Sequence, residues 1–164
     1  MSGLFTSFYF SPLGVIQISS SGDAITSLLF VDKEKSTHNN AKTPKVLVDC
    51  TKQLDEYFLG KRKEFNVPTL QEGTLFQQAV WKELEKIPYG KTISYLDLAK
   101  RLGNAKTIRA AGTANGKNKL AIIVPCHRVI GSNGSLVGYS GGLKNKQWLL
   151  EHEARYNNGV QQLF

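Results

Sequence analysis

The sequence predicts an α/β protein of the α+β kind. It comprises a small N-terminal lobe with a three-stranded antiparallel sheet and one helix, followed by a winged-helix-like domain carrying a helix-turn-helix. Three observations lead there. Residues 4 to 31 alternate short apolar runs with turns built on Pro, Gly and Asp. Residues 46 to 59 and 74 to 87 place apolar side chains at helical spacing. Residues 94 to 116 read as two helices joined by Gly103-Asn104. The expected division is 1–72 for the N-terminal lobe and linker and 73–164 for the C-terminal domain.

In the first lobe, Leu4 to Phe10 and Val15 to Ser19 flank the turn Ser11-Pro12-Leu13-Gly14, and Ser21-Gly22-Asp23 precedes Ile25 to Val31. Residues 32 to 45 are polar and charged and read as a loop. Val46, Leu47, Cys50, Leu54, Tyr57 and Phe58 form a helical stripe ended by Gly60. Residues 60 to 73, with Pro68 and Gly73, read as a linker.

In the second lobe, Thr74 and Gln77 fit a capping box, in which each side chain satisfies the other residue's free backbone amide. Phe76, Val80, Leu84 and Ile87 form one stripe, stopped by Pro88-Tyr89-Gly90. Thr92-Ile93 fits a short strand, and Ser94 a cap for a helix from Tyr95 to Leu102. A third helix is expected from Ala105 to Asn115. Leu120 to Val124, an apolar run before Pro125, reads as a buried strand. Five glycines between 131 and 142 predict a flexible loop or hairpin able to line a pocket. Leu143 to Arg155 reads as a last helix with Trp148 and Leu149 inward, and the tail from Asn157 is expected to fray.

A net charge of +8, from 21 basic and 13 acidic residues, favours a polyanion partner such as nucleic acid. It fits an ordinary basic protein equally well. Two cysteines, Cys50 and Cys126, make no disulfide framework and suit a reducing compartment. No apolar run approaches the ~20 residues of a membrane helix, and Met1-Ser2-Gly3-Leu4 lacks the features of a signal peptide. The expectation is a soluble, cytoplasmic protein without a membrane partner.

Cys126 lies after Pro125 and before His127 and Arg128. A nucleophilic cysteine reacts as the thiolate, and nearby cationic or imidazole groups lower its pKa. Adjacent side chains on extended backbone face opposite ways, so His127 would take the thiol proton through a water, oriented by Glu151 or Glu153 of the last helix. A bare Cys-His pair fits a buried structural cysteine beside an exposed histidine better than it fits a nucleophile. Asn118 is placed to tie the third helix to the following strand, and fits a plain turn asparagine equally well. Arg109-Ala110-Ala111-Gly112-Thr113-Ala114 has little bulk after the arginine, which suits close approach to a DNA groove or, more commonly, to a neighbouring helix. Arg109 and Lys61-Arg62-Lys63 suit phosphate contacts and Tyr95 a hydrogen bond to a base. Each is as readily an ordinary surface or half-buried residue.

Taken together, these stretches resemble the O6-alkylguanine-DNA alkyltransferases, also called methylated-DNA–protein-cysteine methyltransferases. The matching segments run in order from Gly73-Thr74-Leu75-Phe76 through Ile87-Pro88-Tyr89-Gly90-Lys91-Thr92-Ile93-Ser94-Tyr95 and Arg109-Ala110-Ala111-Gly112. They continue through Ile123-Val124-Pro125-Cys126-His127-Arg128-Val129-Ile130, Gly138-Tyr139-Ser140-Gly141-Gly142 and Trp148-Leu149-Leu150-Glu151-His152-Glu153.

The resemblance implies that Cys126 accepts the alkyl group, His127 is its base through water, and Glu153 orients His127. It implies that Asn118 is a hinge, that Arg109 fills the space of a flipped nucleotide, and that Tyr95 helps rotate that nucleotide and contacts the guanine. It implies that Tyr139 and Ser140 belong to a loop covering the base, and that the carbonyls of Cys126 and Val129 read the exocyclic amine. Ala110, Gly112 and Thr113, with Arg128, are expected at the DNA or substrate surface. The partner implied is double-stranded DNA with an alkylated guanine, entered through the minor groove by a monomer, in a single-turnover reaction without cofactor. Zinc-binding members carry a site in the first lobe. Here that lobe offers only Cys50 and His38, too few for four ligands, so no metal is expected. Lys119 stands where many members have proline. Two other readings remain: a damage-binding module that transfers nothing, and a cysteine hydrolase that turns over.

Overall fold

The computed structural model describes residues 4–32 and 43–157. Most of the expected loop at 32–45, His38 and the tail beyond Asn157 lie outside those residues. The chain divides into two compact units, Met1–Gln71 and Glu72–Phe164.

In the first unit, β1 (Phe5–Ser11), β2 (Gly14–Ser20) and β3 (Ile25–Val31) pair antiparallel in the order β1-β2-β3. The first turn closes because Gly14 takes φ 110, open to a residue without Cβ, while the Ser11 hydroxyl donates to the Gly14 carbonyl at 2.7 Å. Ile16 and Ile18 of β2 and Ile25 and Leu28 of β3 are fully buried. Helix α1 (Lys45–Phe58) adds Val46, Leu47, Cys50, Leu54 and Tyr57 to the same core. Cys50 is inert there: burial pushes its thiol up to about 12. The stretch expected as plain linker does more. The Ile25 amide donates to Pro68 O at 2.8 Å and the Leu70 amide to Ile25 O at 2.9 Å. Residues 68–70 thus occupy backbone groups that the edge of β3 would leave open.

In the second unit, α2 (Leu75–Glu85) opens with the capping box expected from Thr74 and Gln77. Its stripe buries Val80, Trp81 and Leu84, whereas Phe76 stays partly exposed. A second capping box, Ser94 with Asp97, starts α3 (Tyr95–Arg101) directly after the two-residue strand β4 (Ile93–Ser94). Gly103 turns the chain at φ 95. A short 3-10 segment, Ala105–Thr107, leads into α4 (Ile108–Gly116), completing the helix-turn-helix. The Trp81 indole donates to Ala114 O at 2.9 Å and locks α4 onto α2. Strand β5 (Val129–Ile130) pairs parallel with β4, and α5 (Leu143–Asn157) runs two residues past the expected end at Arg155.

One expected element is wrong. Leu120 to Val124 is a compact turn, not a strand. The Val124 amide bonds Leu120 O at 2.9 Å, and the Ile123 amide bonds Ala121 O at 2.8 Å. Between them Ile122 takes φ 71, a costly conformation for a β-branched residue. Leu120, Ile122 and Val124 are buried, as the apolar run demanded. A short apolar run fixes burial and leaves the backbone path to its hydrogen-bond partners.

Candidate active site

Asn118 shapes that turn. Its Nδ2 donates to Val124 O at 2.9 Å, and its Oδ1 accepts the Leu120 amide at 3.1 Å. One side chain thereby staples both ends of the reversal. Pro125, at φ −80 and ψ 64, then makes a tight three-residue turn in which the Cys126 amide bonds Val124 O at 2.8 Å. Cys126, His127 and Arg128 follow as a 3-10 turn. Successive side chains there diverge by about 120°, so Cys126 and His127 are not on opposite faces of a strand as expected from extended backbone.

All three side chains are buried. His127 Nε2 lies 2.7 Å from Glu153 Oε2 on α5. Arg128 grips the same carboxylate: Nε donates to Oε1 at 2.7 Å and Nη2 to Oε2 at 3.0 Å, while Nη1 donates to Ile87 O at 2.7 Å. Burial alone would raise the Glu153 pKa; His127 and Arg128 outweigh it and hold the carboxyl well below the usual carboxylate range. An ionised Glu153 accepts only, so Nε2 of His127 carries its proton. Nδ1, buried and without a protein partner among the described residues, is then the basic nitrogen.

A lysine completes the surroundings. Lys146 of α5 is fully buried. Its Nζ donates to Val129 O at 2.6 Å and Val137 O at 2.9 Å, and lies 5.8 Å from the centre of the Tyr95 ring. Burial pulls its pKa down to about 8 against the opposing pull of Cys126. The Tyr95 hydroxyl also donates to Val137 O, at 3.1 Å. Lys146 and Tyr95 together therefore tie down the glycine-rich loop. Burial pushes the Cys126 thiol up, and the Asn118 hydrogen bond and the Lys146 charge pull it part of the way back. Tyr139 is raised well above its ordinary value by burial, then by Cys126 and Glu153. Its side chain therefore faces the same centre.

The outer side of α4 carries Arg109, Ala110 and Thr113, all exposed, while Ala111, Ala114 and Asn115 face inward. A Cβ on Gly112 would sit 3.6 Å from the Tyr95 ring.

Residues 75–155 match the family described as 6-O-methylguanine DNA methyltransferase, DNA binding domain, and residues 4–71 match its ribonuclease-like domain. The chain belongs to the 6-O-methylguanine DNA methyltransferase family. A methylated-DNA–protein-cysteine methyltransferase of Mycolicibacterium paratuberculosis is 41% identical over 94% of both chains. The constitutive one of Bacillus subtilis is 47% identical over 80% of this chain and 83% of its own. The Mycobacterium tuberculosis O6-methylguanine methyltransferase superposes with TM-score 0.82 at 40% identity over 94% of both chains. A Mycobacterium tuberculosis protein of the same kind, solved in complex with DNA, superposes with TM-score 0.82 at 43% identity over 91% of this chain and 92% of its own.

Within this methyltransferase fold, Cys126, His127 and Glu153 come together, with Asn118, Tyr95 and Tyr139 around them. Ser140 is exposed on the loop. Arg128 requires a correction: expected at the DNA or substrate surface, it is 6% exposed and spends its donors on Glu153 and Ile87. The Val129 carbonyl, expected to read the base, is already held by Lys146. Sequence reasoning missed Lys146 and Asn115. Lys146 stands on the inward stripe of α5 with Leu149 and Glu153, three and seven positions on, and a lysine on an apolar stripe is a signal in itself. Among the described residues no three His, Cys, Asp or Glu side chains gather as a metal site, and no helix is long and apolar enough to cross a membrane.

Proposed function

We propose that this protein repairs DNA as a methylated-DNA–[protein]-cysteine S-methyltransferase, moving an alkyl group once and irreversibly from O6 of guanine to Sγ of Cys126. The observation that carries this reading is the buried His127–Glu153 bond, which leaves Nδ1 as the basic nitrogen of the residue that follows Cys126, whose thiol burial keeps protonated.

A base inside a duplex is out of reach of Cys126, so the altered guanine leaves the stack. Arg109, exposed near the start of α4, takes its place, and the small residues Ala110, Gly112 and Thr113 let α4 press into the minor groove. Tyr139 and Ser140 close over the extruded base. His127 takes the thiol proton through a water. The thiolate then displaces guanine from the alkyl carbon: the C–S bond forms as the C–O6 bond breaks. Tyr95 supplies a proton to the leaving guanine and is reprotonated from His127. In net terms the thiol proton ends on the base. Nucleophile, base and leaving group all belong to protein and substrate, so the step calls for no cofactor. A thioether offers no leaving group as good as guanine, so each molecule acts once. The protein acts as a monomer in the cytoplasm.

Titrating duplex DNA containing O6-methylguanine with the protein tests this reading. One lesion removed per protein molecule is expected. Binding without removal points to a damage-recognition module, and removal in excess of protein to a turning-over enzyme. Either result overturns the proposal.

A further inference from the structure

The inner side of α4 carries a polar side chain that the reaction above does not use. Asn115 is 3% exposed. Its Nδ2 donates to the Cys126 carbonyl at 3.4 Å, which sets the orientation of the amide. Its Oδ1 is buried without a hydrogen-bond partner among the described residues. Folded proteins leave few acceptors in that state, because water is given up for nothing. Gly112, one helical turn earlier, has the Tyr95 ring against it. Asn115 is also close enough to the Tyr95 hydroxyl to pull its pKa down against the effect of burial. The amide therefore lies between Tyr95 and Cys126, the two residues that the proposed reaction sets against guanine.

We infer that Asn115 is a guanine-positioning residue: its Oδ1 accepts an N–H of the exocyclic amine when the base enters. Of the acceptors near that amine, Asn115 Oδ1 is the vacant one: the Cys126 carbonyl already takes the Asn115 Nδ2 and the Val129 amide. The Val129 carbonyl is less available, because the Lys146 ammonium holds it at 2.6 Å. The empty acceptor becomes a selectivity device: a base lacking the 2-amino group leaves it unpaired, and polar sites discriminate most strongly against analogues that do so. It also couples the two halves of the reaction, since the helix that faces DNA carries the group that fixes the base over the thiol. This inference rests on the alkyltransferase reading.

The experiment compares single-turnover transfer from duplexes holding O6-methylguanine or O6-methylhypoxanthine, which differ only by the 2-amino group. The unaltered protein and Asn115→Leu are measured, with Asn115→Ala alongside as a variant that adds no bulk. The inference expects transfer from the guanine substrate to fall roughly five- to tenfold in the variants, the worth of one neutral hydrogen bond, and transfer from the hypoxanthine substrate to change less than about twofold. Equal losses on both substrates make Asn115 a structural residue and overturn the inference alone, as does no loss on either. No transfer by the unaltered protein on either substrate overturns the alkyltransferase reading and the inference with it.

Discussion

Glu153 Oε2 lies 2.7 Å from His127 Nε2, and the same carboxylate takes two donors from Arg128. The pair is buried at 0% and 1% side-chain exposure. One carboxylate thus sets the tautomer of the base and neutralises the Arg128 guanidinium. Glu153→Gln should lower the second-order rate of alkyl transfer by about 100-fold, at the low end of what a positioned base contributes. It should also cost about 3–5 kcal/mol of stability, because Arg128 is left buried without its counter-charge. Single-turnover kinetics and denaturant unfolding measure the two effects. Unchanged transfer in a folded variant removes Glu153 from the account.

The pH dependence of that stability has a definite sign. The folded pKa of Glu153 lies below its unfolded value, so its contribution is complete above the ordinary glutamate pKa of about 4.3 and drains away as pH falls through the folded value. The stability gap between the unaltered protein and Glu153→Gln should shrink steadily below about pH 4. A gap that stays constant on acidification contradicts the ionised, twice-bonded carboxylate.

Arg128→Met separates an internal clamp from a DNA contact. Removing the guanidinium should destabilise the fold by about 3–5 kcal/mol. The salt dependence of DNA binding should not change, because a side chain that contacts no phosphate releases no counterion. A shallower salt slope would place Arg128 at the DNA after all.

Lys146 gives stability the same sign of pH dependence as Glu153, in a window at higher pH, although here the fold disfavours the charged form. Its folded pKa, about 8, is below the ordinary 10.5, so the unfolded chain binds more protons between those values. Stability contributed through Lys146 therefore rises with pH across that window. Thermal unfolding from pH 7.5 to 10.5 should show that rise in the unaltered protein relative to Lys146→Met. Parallel curves for the two proteins would mean that the buried ammonium carries no penalty. The same variant, lacking the bonds to Val129 and Val137, should exchange amide hydrogens of the loop between Gly131 and Gly142 faster.

Much of this centre was legible in the sequence, and for uneven reasons. Cys126, His127 and Glu153 were marked by an ordered series of short motifs, and the caps at Thr74 and Ser94 by side chains whose only good partners are local amides. The turn before Cys126 was not legible. Its path depends on Asn118 bonding backbone groups two and six residues away, which no periodicity reports. Arg128 was misread because a charge next to a nucleophile suggests an external anion, whereas its partner comes from α5, 25 positions on. Asn115 was hidden among small residues of a helix whose exposed side drew attention first.

Arg109 should matter only when the base comes from a duplex. It is exposed on α4, so Arg109→Ala should leave the unfolding midpoint within about 0.5 kcal/mol of the unaltered protein. Transfer from duplex O6-methylguanine should drop at least tenfold, since holding a base out of the stack is worth a few kcal/mol. Transfer from a free O6-benzylated guanine base should stay within about twofold. Equal losses on both substrates would argue against a role in base extrusion.

The central claim is that Cys126 itself keeps the alkyl group, and peptide mass spectrometry after one round with methylated duplex DNA tests it most directly. The account predicts that the peptide containing Cys126 gains the mass of one methyl group, in amount equal to the lesions lost, and that the Cys50 peptide gains nothing. Loss of lesions with an unmodified Cys126 peptide would contradict it.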